Sequence, residues 1–138
     1  MAFGNSKQVL RLPPLANKTA YYWRVNGQNA AGAGGWSTAW KFTTIVAIPA
    51  VPLLTAPTAG ARSIVTNPTF SWGVVTDASS YRLQVSLDSS FASVAYDDSA
   101  LTMTSKQLTT LTHGSRYFWR VRAKNIGGIG NFSDHRSF

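Results

Sequence analysis

The chain has 138 residues, no cysteine and a formal net charge of +8, and its five acidic residues are all aspartates. This composition excludes a disulfide framework and a cysteine-based zinc site. No apolar run reaches the roughly 18 residues that a membrane-spanning helix needs. The first seven residues lack the apolar core of a signal peptide, so we expect either a cytoplasmic chain or a targeting segment that lies outside this sequence.

The first predicted strands belong to a pattern that the chain repeats with a spacing of 96 residues. Residues 9–42 align with residues 105–138 without a gap, and 11 of the 34 positions are identical. An internal repeat of domain length indicates tandem copies of one structural unit. We therefore predict an incomplete copy of three strands in residues 1–44 and a complete copy in residues 45–138. The identical residues of the first copy are Leu12, Leu15, Tyr21, Trp23, Arg24, Val25, Asn29, Gly32, Gly34, Ser37 and Phe42.

Short alternating segments recur about every ten residues in the complete copy, with turn residues between them, as is typical of a β-sandwich. Alternation in residues 80–86 places Tyr81, Leu83 and Val85 inward and Arg82 and Gln84 outward. No segment predicts an amphipathic helix. The seven predicted strands are residues 53–55, 68–74, 80–86, 91–96, 102–109, 115–125 and 132–138.

The longest predicted strand, residues 115–125, has two chemically different faces. Trp72, Tyr81 and Leu111 are expected to join its inward face in the core. Tyr21 and Trp23 hold the equivalent core positions of the first copy. The inward residues of the strand are Tyr117, Trp119, Val121 and Ala123. The outward residues are Phe118, Arg120, Arg122 and Lys124.

These patterns resemble fibronectin type III domains of the kind repeated in bacterial secreted and surface proteins. The resemblance rests on the strand around Trp72, on Tyr81-Arg-Leu-Gln-Val and on Leu111-x-x-Gly-Ser-x-Tyr-x-Trp-Arg-Val. It implies an all-β, immunoglobulin-like antiparallel sandwich. In such a fold the hydroxyl of Tyr117 can bond to backbone near Leu111 and pin the crossover between the sheets.

The sequence shows no convincing catalytic or metal-binding constellation. His113 and His135 have no acidic residue at ligand spacing, and the adjacent Asp97 and Asp98 would face opposite sides of a strand. Asp88 together with one of these aspartates could hold calcium, but an aspartate in a turn is the commoner explanation. We therefore expect neither enzymatic activity nor a cofactor.

The outward face of the longest strand is the candidate binding surface. Aromatic and basic side chains that alternate on a flat sheet could bind anionic glycans, and the basic net charge favours anionic partners in general. The favoured alternative is structural, because arginine side chains can lie over aromatic rings and stiffen the sheet. The residues of this surface are Phe118, Arg120, Arg122, Lys124, Arg82 and Gln84, with Tyr22 and Arg24 at matching positions of the first copy.

The incomplete first copy has no partner sheet in this chain for its inward residues Trp23, Val25 and Phe42. An open apolar face with free strand edges tends to associate with other protein surfaces. Either the chain is a piece of a longer array, or other copies of the chain or neighbouring repeats complete this face by exchanging strands, or a separate protein completes it by adding strands.

The sequence thus predicts a non-catalytic extracellular or cell-surface repeat module, acting as a spacer, adhesion or protein-interaction element of a bacterial protein. One alternative is a carbohydrate-binding accessory module of a secreted glycan-degrading enzyme. Another is a structural subunit of a filament or phage particle assembled by strand exchange. Neither sequence-specific nucleic-acid binding nor a membrane span is expected.

Overall fold

The computed structural model describes residues 10–109 and 111–138, and the chain divides into two compact units between Val46 and Ala47. All regular structure in the described residues is β-strand, and all strand pairs are antiparallel. The predicted all-β, antiparallel class is therefore confirmed. The described residues up to 46 are termed the N-terminal unit, and those from 47 onward the C-terminal unit.

The N-terminal unit contains one pair of strands and one small hairpin. β1 (Ala20–Trp23) pairs with β4 (Trp40–Thr43), and β2 (Gln28–Asn29) pairs with β3 (Gly32–Ala33). The sequence predicts three strands here, and the structure has four, because the counterpart of the long predicted strand 115–125 is divided into β1 and β2. The strand is divided because the described part of the N-terminal unit has no neighbouring strand equivalent to β7 (Ser80–Ser86) of the C-terminal unit.

The C-terminal unit is a sandwich of two sheets. One sheet has the order β11-β10-β7-β8 with β12 also on β10, and the other has the order β5-β6-β9. Eight strands are present where seven are predicted, because the glycine turn after β10 forms its own short strand, β11. The strands are β5 (Leu54–Ala56), β6 (Thr69–Trp72), β7 (Ser80–Ser86), β8 (Val94–Leu101), β9 (Ser105–Gln107), β10 (Phe118–Asn125), β11 (Gly128–Ile129) and β12 (Arg136–Ser137).

β10 is continuous because β7 pairs along almost its whole length, from Phe118 opposite Ser86 to Lys124 opposite Ser80. The corresponding stretch of the N-terminal unit is divided into β1 and β2. No described residue of that unit supplies a counterpart of β7, so residues 24–27 lack the ladder that would keep them extended.

The fourth strand begins later than predicted, at Val94 instead of residue 91, because Asp88 organises the preceding loop. Its carboxylate accepts the backbone N–H of Ser90 at 2.9 Å and that of Ser93 at 2.6 Å. Hydrogen bonds from the Ser90 hydroxyl, and then from the Ser93 backbone, hold the pKa of Asp88 well below its usual range. Asp88 therefore acts as a loop-organising residue, and the described residues contain no cluster of three or more potential metal ligands.

The core of the C-terminal unit lies between the two sheets and is rich in aromatic residues. The ring of Phe70 meets that of Trp119 edge-on at 5.2 Å between centroids, and Trp72 meets Tyr81 at 5.6 Å. Such contacts add to the stabilisation from buried apolar area. The buried hydrophobic residues are Leu54, Phe70, Trp72, Val75, Tyr81, Leu83, Val85, Phe91, Leu108, Leu111, Tyr117, Trp119, Val121 and Ala123.

Two residues that the sequence assigns to the core lie in the N-terminal unit and are not buried. Trp23 is 48% exposed and Tyr21 is half-buried, whereas their counterparts Trp119 and Tyr117 are 0% and 4% exposed. The expectation of core positions is wrong for the N-terminal unit as it stands, because its described residues contain no opposite sheet to cover them.

Candidate binding face

The outer face of β7 and β10 carries the six candidate residues of the C-terminal unit. The strand register places Arg120 opposite Gln84 and Arg122 opposite Arg82. Lys124 is exposed and Gln84 is only 7% exposed. The other four, Phe118, Arg120, Arg122 and Arg82, are half-buried.

Arg120 is enclosed on both faces of its guanidinium group. Its Cζ atom lies 3.9 Å from the ring centroid of Phe91 and 4.2 Å from that of Phe132. Its Nε and Nη2 atoms donate to Gln84 Oε1 at 3.0 and 2.8 Å. Burial, and then the nearby charges of Arg122 and Arg82, lower the pKa of Arg120. This side chain is therefore fixed by the protein and is poorly placed to contact a ligand.

The stacking continues from Phe132 to Arg122, whose Cζ atom lies 4.5 Å from that ring. On the other side, Phe91 meets His135 at 6.1 Å between ring centroids, and His135 meets Phe118 at 5.6 Å. The guanidinium of Arg116 lies 5.2 Å from the Phe118 ring. The continuous series is termed the stacked ladder, and its members in order are Arg122, Phe132, Arg120, Phe91, His135, Phe118 and Arg116.

Asp97 on β8 ties the polar edge of this face together. Its carboxylate accepts from Arg82 at 2.7 and 2.5 Å and from Gln84 Nε2 at 3.0 Å. The bond from Arg82 holds the pKa of Asp97 below its usual range, and the same bond raises the pKa of Arg82. Arg82, Gln84 and Asp97 therefore form one network that connects to Arg120 in the stacked ladder.

A small basic cleft lies beside this network. It has a volume of about 200 Å³ and is lined by Tyr81, Arg82, Ser99, Arg122, Lys124 and Ile129. Three of these six side chains are cationic, and none is acidic. Among the candidate residues, these three cations are the ones that the structure brings to a shared opening.

Tyr22 and Arg24 lie in the N-terminal unit, on β1 and immediately after it. Tyr22 is 68% exposed, and Lys41 Nζ lies 5.7 Å from its ring centroid. The guanidinium of Arg24 lies 4.5 Å from the Trp36 ring, as that of Arg120 lies over Phe132. One step of the stacked ladder is therefore present in the N-terminal unit as well.

Two of the hydrogen bonds that recur in both units fix the repeated motif Tyr-x-Trp-Arg-Val, which is residues 21–25 and residues 117–121. The hydroxyl of Tyr21 accepts from Ala16 N at 3.0 Å, and the hydroxyl of Tyr117 accepts from Thr112 N at the same distance. The bond of Tyr117 lies next to Leu111, where the sequence predicts it. It anchors the loop before the strand in the same way in the two units.

The second recurring bond joins the motif to its closing segment. Ser37 Oγ accepts from Val25 N at 3.0 Å, and Ser133 Oγ accepts from Val121 N at 3.1 Å. Positions 96 residues apart therefore share hydrogen bonds as well as residue types.

Four members of the stacked ladder are absent from the predicted binding surface: Phe91, Phe132, His135 and Arg116. Phe132 aligns with Trp36 in the repeat, so its aromatic character was a usable signal. Phe91 has a left-handed backbone with φ of 61°, which keeps it in the loop before β8 instead of at the start of a strand. His135 shows no pattern of its own in the sequence, and only the sheet brings it between two aromatic rings.

No protein-family model and no curated protein sequence matches this chain. Among solved structures, the extracellular region of rat CD45, domains d3–d4, aligns with a TM-score of 0.68 at 14% identity, covering 100% of this chain and 74% of that one. A fibronectin type III-like protein from Clostridium thermocellum aligns at 0.50 and 20% identity, covering 66% of this chain and 88% of that one. The chain has the fibronectin type III fold.

The FN1–FN3 domains of chicken CNTN1 align with a TM-score of 0.53 at 21% identity. This alignment covers 90% of this chain and 43% of the CNTN1 structure, so the chain spans less than half of that relative. In the described residues, no helix is long and apolar enough to cross a membrane.

Proposed function

We propose that this chain is a non-catalytic fibronectin type III repeat module of an extracellular or cell-surface protein, serving as a spacer or interaction element. The observation that carries the proposal is the repeat itself, because two segments 96 residues apart share both residues and hydrogen bonds. Tandem repetition of one fold suits extended arrays. The similarity to the extracellular region of rat CD45 supports the location.

The stacked ladder fits a spacer better than a ligand site. Its central arginine, Arg120, is held between the rings of Phe91 and Phe132, and Gln84 and Asp97 satisfy the guanidinium edges of Arg120 and Arg82. Such stacking stabilises the sheet and limits side-chain motion. A rigid sheet face is useful in a module whose task is to keep its neighbours at a fixed distance.

The interaction role rests on the apolar face of the N-terminal unit. Trp23 and Trp40 lie 6.0 Å apart between ring centroids and are 48% and 65% exposed, and Val25 is 56% exposed. A contiguous aromatic patch of this kind is typical of an interaction surface. We propose that other copies of the chain, or neighbouring repeats, cover it.

Strand exchange between copies cannot close every such face. The described residues of one chain supply one set of strands of the β5–β9 type but two segments of the β10–β12 type. Exchange therefore leaves one segment per chain without an opposite sheet. Two N-terminal units that pack their aromatic faces together would form a closed, two-fold symmetric sandwich without this deficit.

Light scattering coupled to size exclusion, between about 1 and 100 μM chain, tests this proposal. We expect the mass to rise with concentration to that of a dimer. The double substitution Trp23→Ser with Trp40→Ser should keep the chain monomeric. Tyr22→Ser is the matched control, because Tyr22 is 68% exposed but points to the opposite face of β1. A wild-type chain that stays monomeric throughout would refute the proposal, and filaments seen by electron microscopy would favour open strand exchange.

A second function is favoured by the basic cleft beside the network. Arg82, Arg122 and Lys124 converge there, and Asp97 is the acid bonded to Arg82. Clustered cations of this kind suit the sulfates or carboxylates of an acidic polysaccharide.

Affinity electrophoresis in dextran sulfate and in polygalacturonate tests the second function. Retardation of the wild type should be lost in Arg122→Ser with Lys124→Ser and kept in the control Lys106→Ser, on the other sheet. Equal retardation of all three would show that Arg122 and Lys124 do not contribute to binding and would refute the cleft as the glycan site. Stronger retention on DNA than on either polysaccharide would indicate that the cleft binds nucleic acid and not a glycan.

A further inference from the structure

Three arginines share the outer face of β7 and β10, but their guanidinium groups differ in what they bond to. Arg120 donates two hydrogen bonds to Gln84, and Arg82 donates two to Asp97. None of the described residues accepts a hydrogen bond from Arg122. Arg122 is therefore the arginine of this face whose N–H groups are left for a ligand.

The Arg122 guanidinium is nevertheless held in place. Its Cζ atom lies 4.5 Å from the ring centroid of Phe132, and the side chain is half-buried. The donors of a guanidinium lie in its own plane, so a ring against one face leaves them free at the edge. A carboxylate or sulfate can accept two parallel bonds from such an edge, and little side-chain freedom is lost on binding because the group is already oriented.

The internal repeat shows that the fold of the motif does not require a cation at this position. The arginine of Tyr-x-Trp-Arg-Val is stacked on an aromatic ring in both copies. Arg122 and Lys124 are not repeated, because Asn26 and Gln28 stand 96 residues before them. The shared hydrogen bonds of the motif form in both copies all the same. The local geometry thus leaves these two cations available for another role.

The size and lining of the cleft limit what can bind there. Its volume of about 200 Å³ is below the roughly 300–1,000 Å³ of sites that enclose a whole small molecule. It can therefore take one charged group and part of the ring that carries it. Ile129, which is 50% exposed, offers apolar surface to such a ring. Asp97, the acid bonded to Arg82, accepts no hydrogen bond from Arg122.

We propose that Arg122 is the residue that binds the anion in this cleft, through two parallel N–H bonds to one carboxylate or sulfate group of a saccharide. Lys124 would add charge without directed geometry, and Ile129 would contact the carbon atoms of the sugar ring. Arg122 would then be the specificity-determining residue of the glycan-binding function proposed above, on which this role rests.

NMR titration of the whole chain with single sugars tests this assignment. Galacturonate supplies a carboxylate and glucose 6-sulfate supplies a sulfate, and galactose and glucose are their neutral controls. We expect the side-chain Nε–H signal of Arg122 to shift with a dissociation constant in the millimolar range. The Nε–H signals of Arg82 and Arg120 should stay in place, because both groups already bond to protein. The acid that binds more tightly identifies the preferred anion, and the neutral sugars should cause no shift.

Two substitutions separate directed bonding from charge. Arg122→Lys keeps the charge but loses the planar pair of donors, so the affinity should fall by at least about tenfold. Lys124→Gln removes a charge without touching the pair, so the affinity should fall by only about threefold. Arg122→Asn carries the residue of the first copy and should abolish binding, while unchanged backbone amide signals of β7 show that the sheet is intact.

The inference is overturned if the Arg122 signal does not move at up to about 50 mM of either acid, or if Arg122→Lys binds as tightly as the wild type. Retardation in polygalacturonate distinguishes this failure from that of the glycan function. If Arg122→Lys is retarded as strongly as the wild type, the glycan function stands and the role of Arg122 is wrong. If the wild type is not retarded but Arg122 still shifts with galacturonate, the anion site stands and polysaccharide binding is refuted.

Discussion

Trp23 and Trp119 occupy the same place in two copies of one motif, yet Trp23 is 48% exposed and Trp119 is fully buried. The aromatic stacking next to the two tryptophans is nearly the same. The ring of Tyr21 stacks on Phe42 at 5.7 Å, and that of Tyr117 stacks on Phe138 at 6.0 Å. About thirty residues are therefore enough to set the motif's own geometry, whereas burial depends on the opposite sheet.

The same comparison explains strand continuity. β10 is eight residues long and pairs with β7, whereas its counterpart is divided into β1 and β2. A long strand needs a partner ladder as well as β-forming residues. The substitutions below use pairs of equivalent residues, so that each one separates local geometry from tertiary burial.

The largest contrast should come from removing the tryptophan. We expect Trp119→Ala to lower the free energy of unfolding of the C-terminal unit by about 3–5 kcal/mol, because a large buried side chain leaves a cavity. Trp23→Ala should cost less than about 1 kcal/mol, because nearly half of the side chain is already in water. Urea unfolding followed by circular dichroism measures both, and equal losses would contradict the comparison.

A smaller contrast should come from the stacked ladder. We expect Arg120→Lys to cost about 1–2 kcal/mol, because lysine loses both the planar stacking and the two bonds to Gln84. Arg24→Lys removes one stacking contact with Trp36 and should cost a few tenths of a kcal/mol. The same unfolding assay applies. If lysine is tolerated at position 120 without loss, the ladder does not stabilise the sheet.

The tyrosine hydroxyls provide the next test. Tyr117→Phe should cost about 1 kcal/mol, because it removes the bond from Thr112 N without creating a cavity. Tyr21→Phe removes the equivalent bond from Ala16 N and should leave the stability of the C-terminal unit unchanged. Thermal unfolding of the two variants measures both effects. A stability loss in the C-terminal unit from Tyr21→Phe would show that the two units are energetically coupled.

The smallest effect is a dependence on acid that should be confined to the C-terminal unit, because residues 10–46 contain no aspartate or glutamate. Hydrogen bonds hold the pKa values of Asp88 and Asp97 below their ordinary range. Their contribution to stability is therefore present above pH about 4, the ordinary value, and is lost as the pH falls through the folded-state values. Urea midpoints at pH 6 and pH 3 should differ, and Asp97→Asn should reduce that difference. Identical midpoints would contradict the assignment.

The fold was predictable because its signals are local. Alternation places β7 at residues 80–86, and the repeat spacing shows that two units share one motif. The start of β8 was not predictable, because it depends on how the Asp88 carboxylate organises a loop. Only part of the stacked ladder could be predicted from the sequence. Arg120 and Arg122 follow from alternation on one strand. Phe91 lies in a loop and His135 in the segment before β12, and only the folded sheet brings them beside that strand.

The amides of Val25 and Val121 test the central claim most directly, because each donates to a serine hydroxyl at almost the same distance, 3.0 and 3.1 Å. Hydrogen exchange followed by NMR in dilute solution compares them with local bonding held constant. We expect Val121 to exchange at least about 10³-fold more slowly than Val25, because only Val121 lies under an opposite sheet. Raising the chain concentration should slow the exchange of Val25 alone. Equal protection of the two amides in dilute solution would contradict the account.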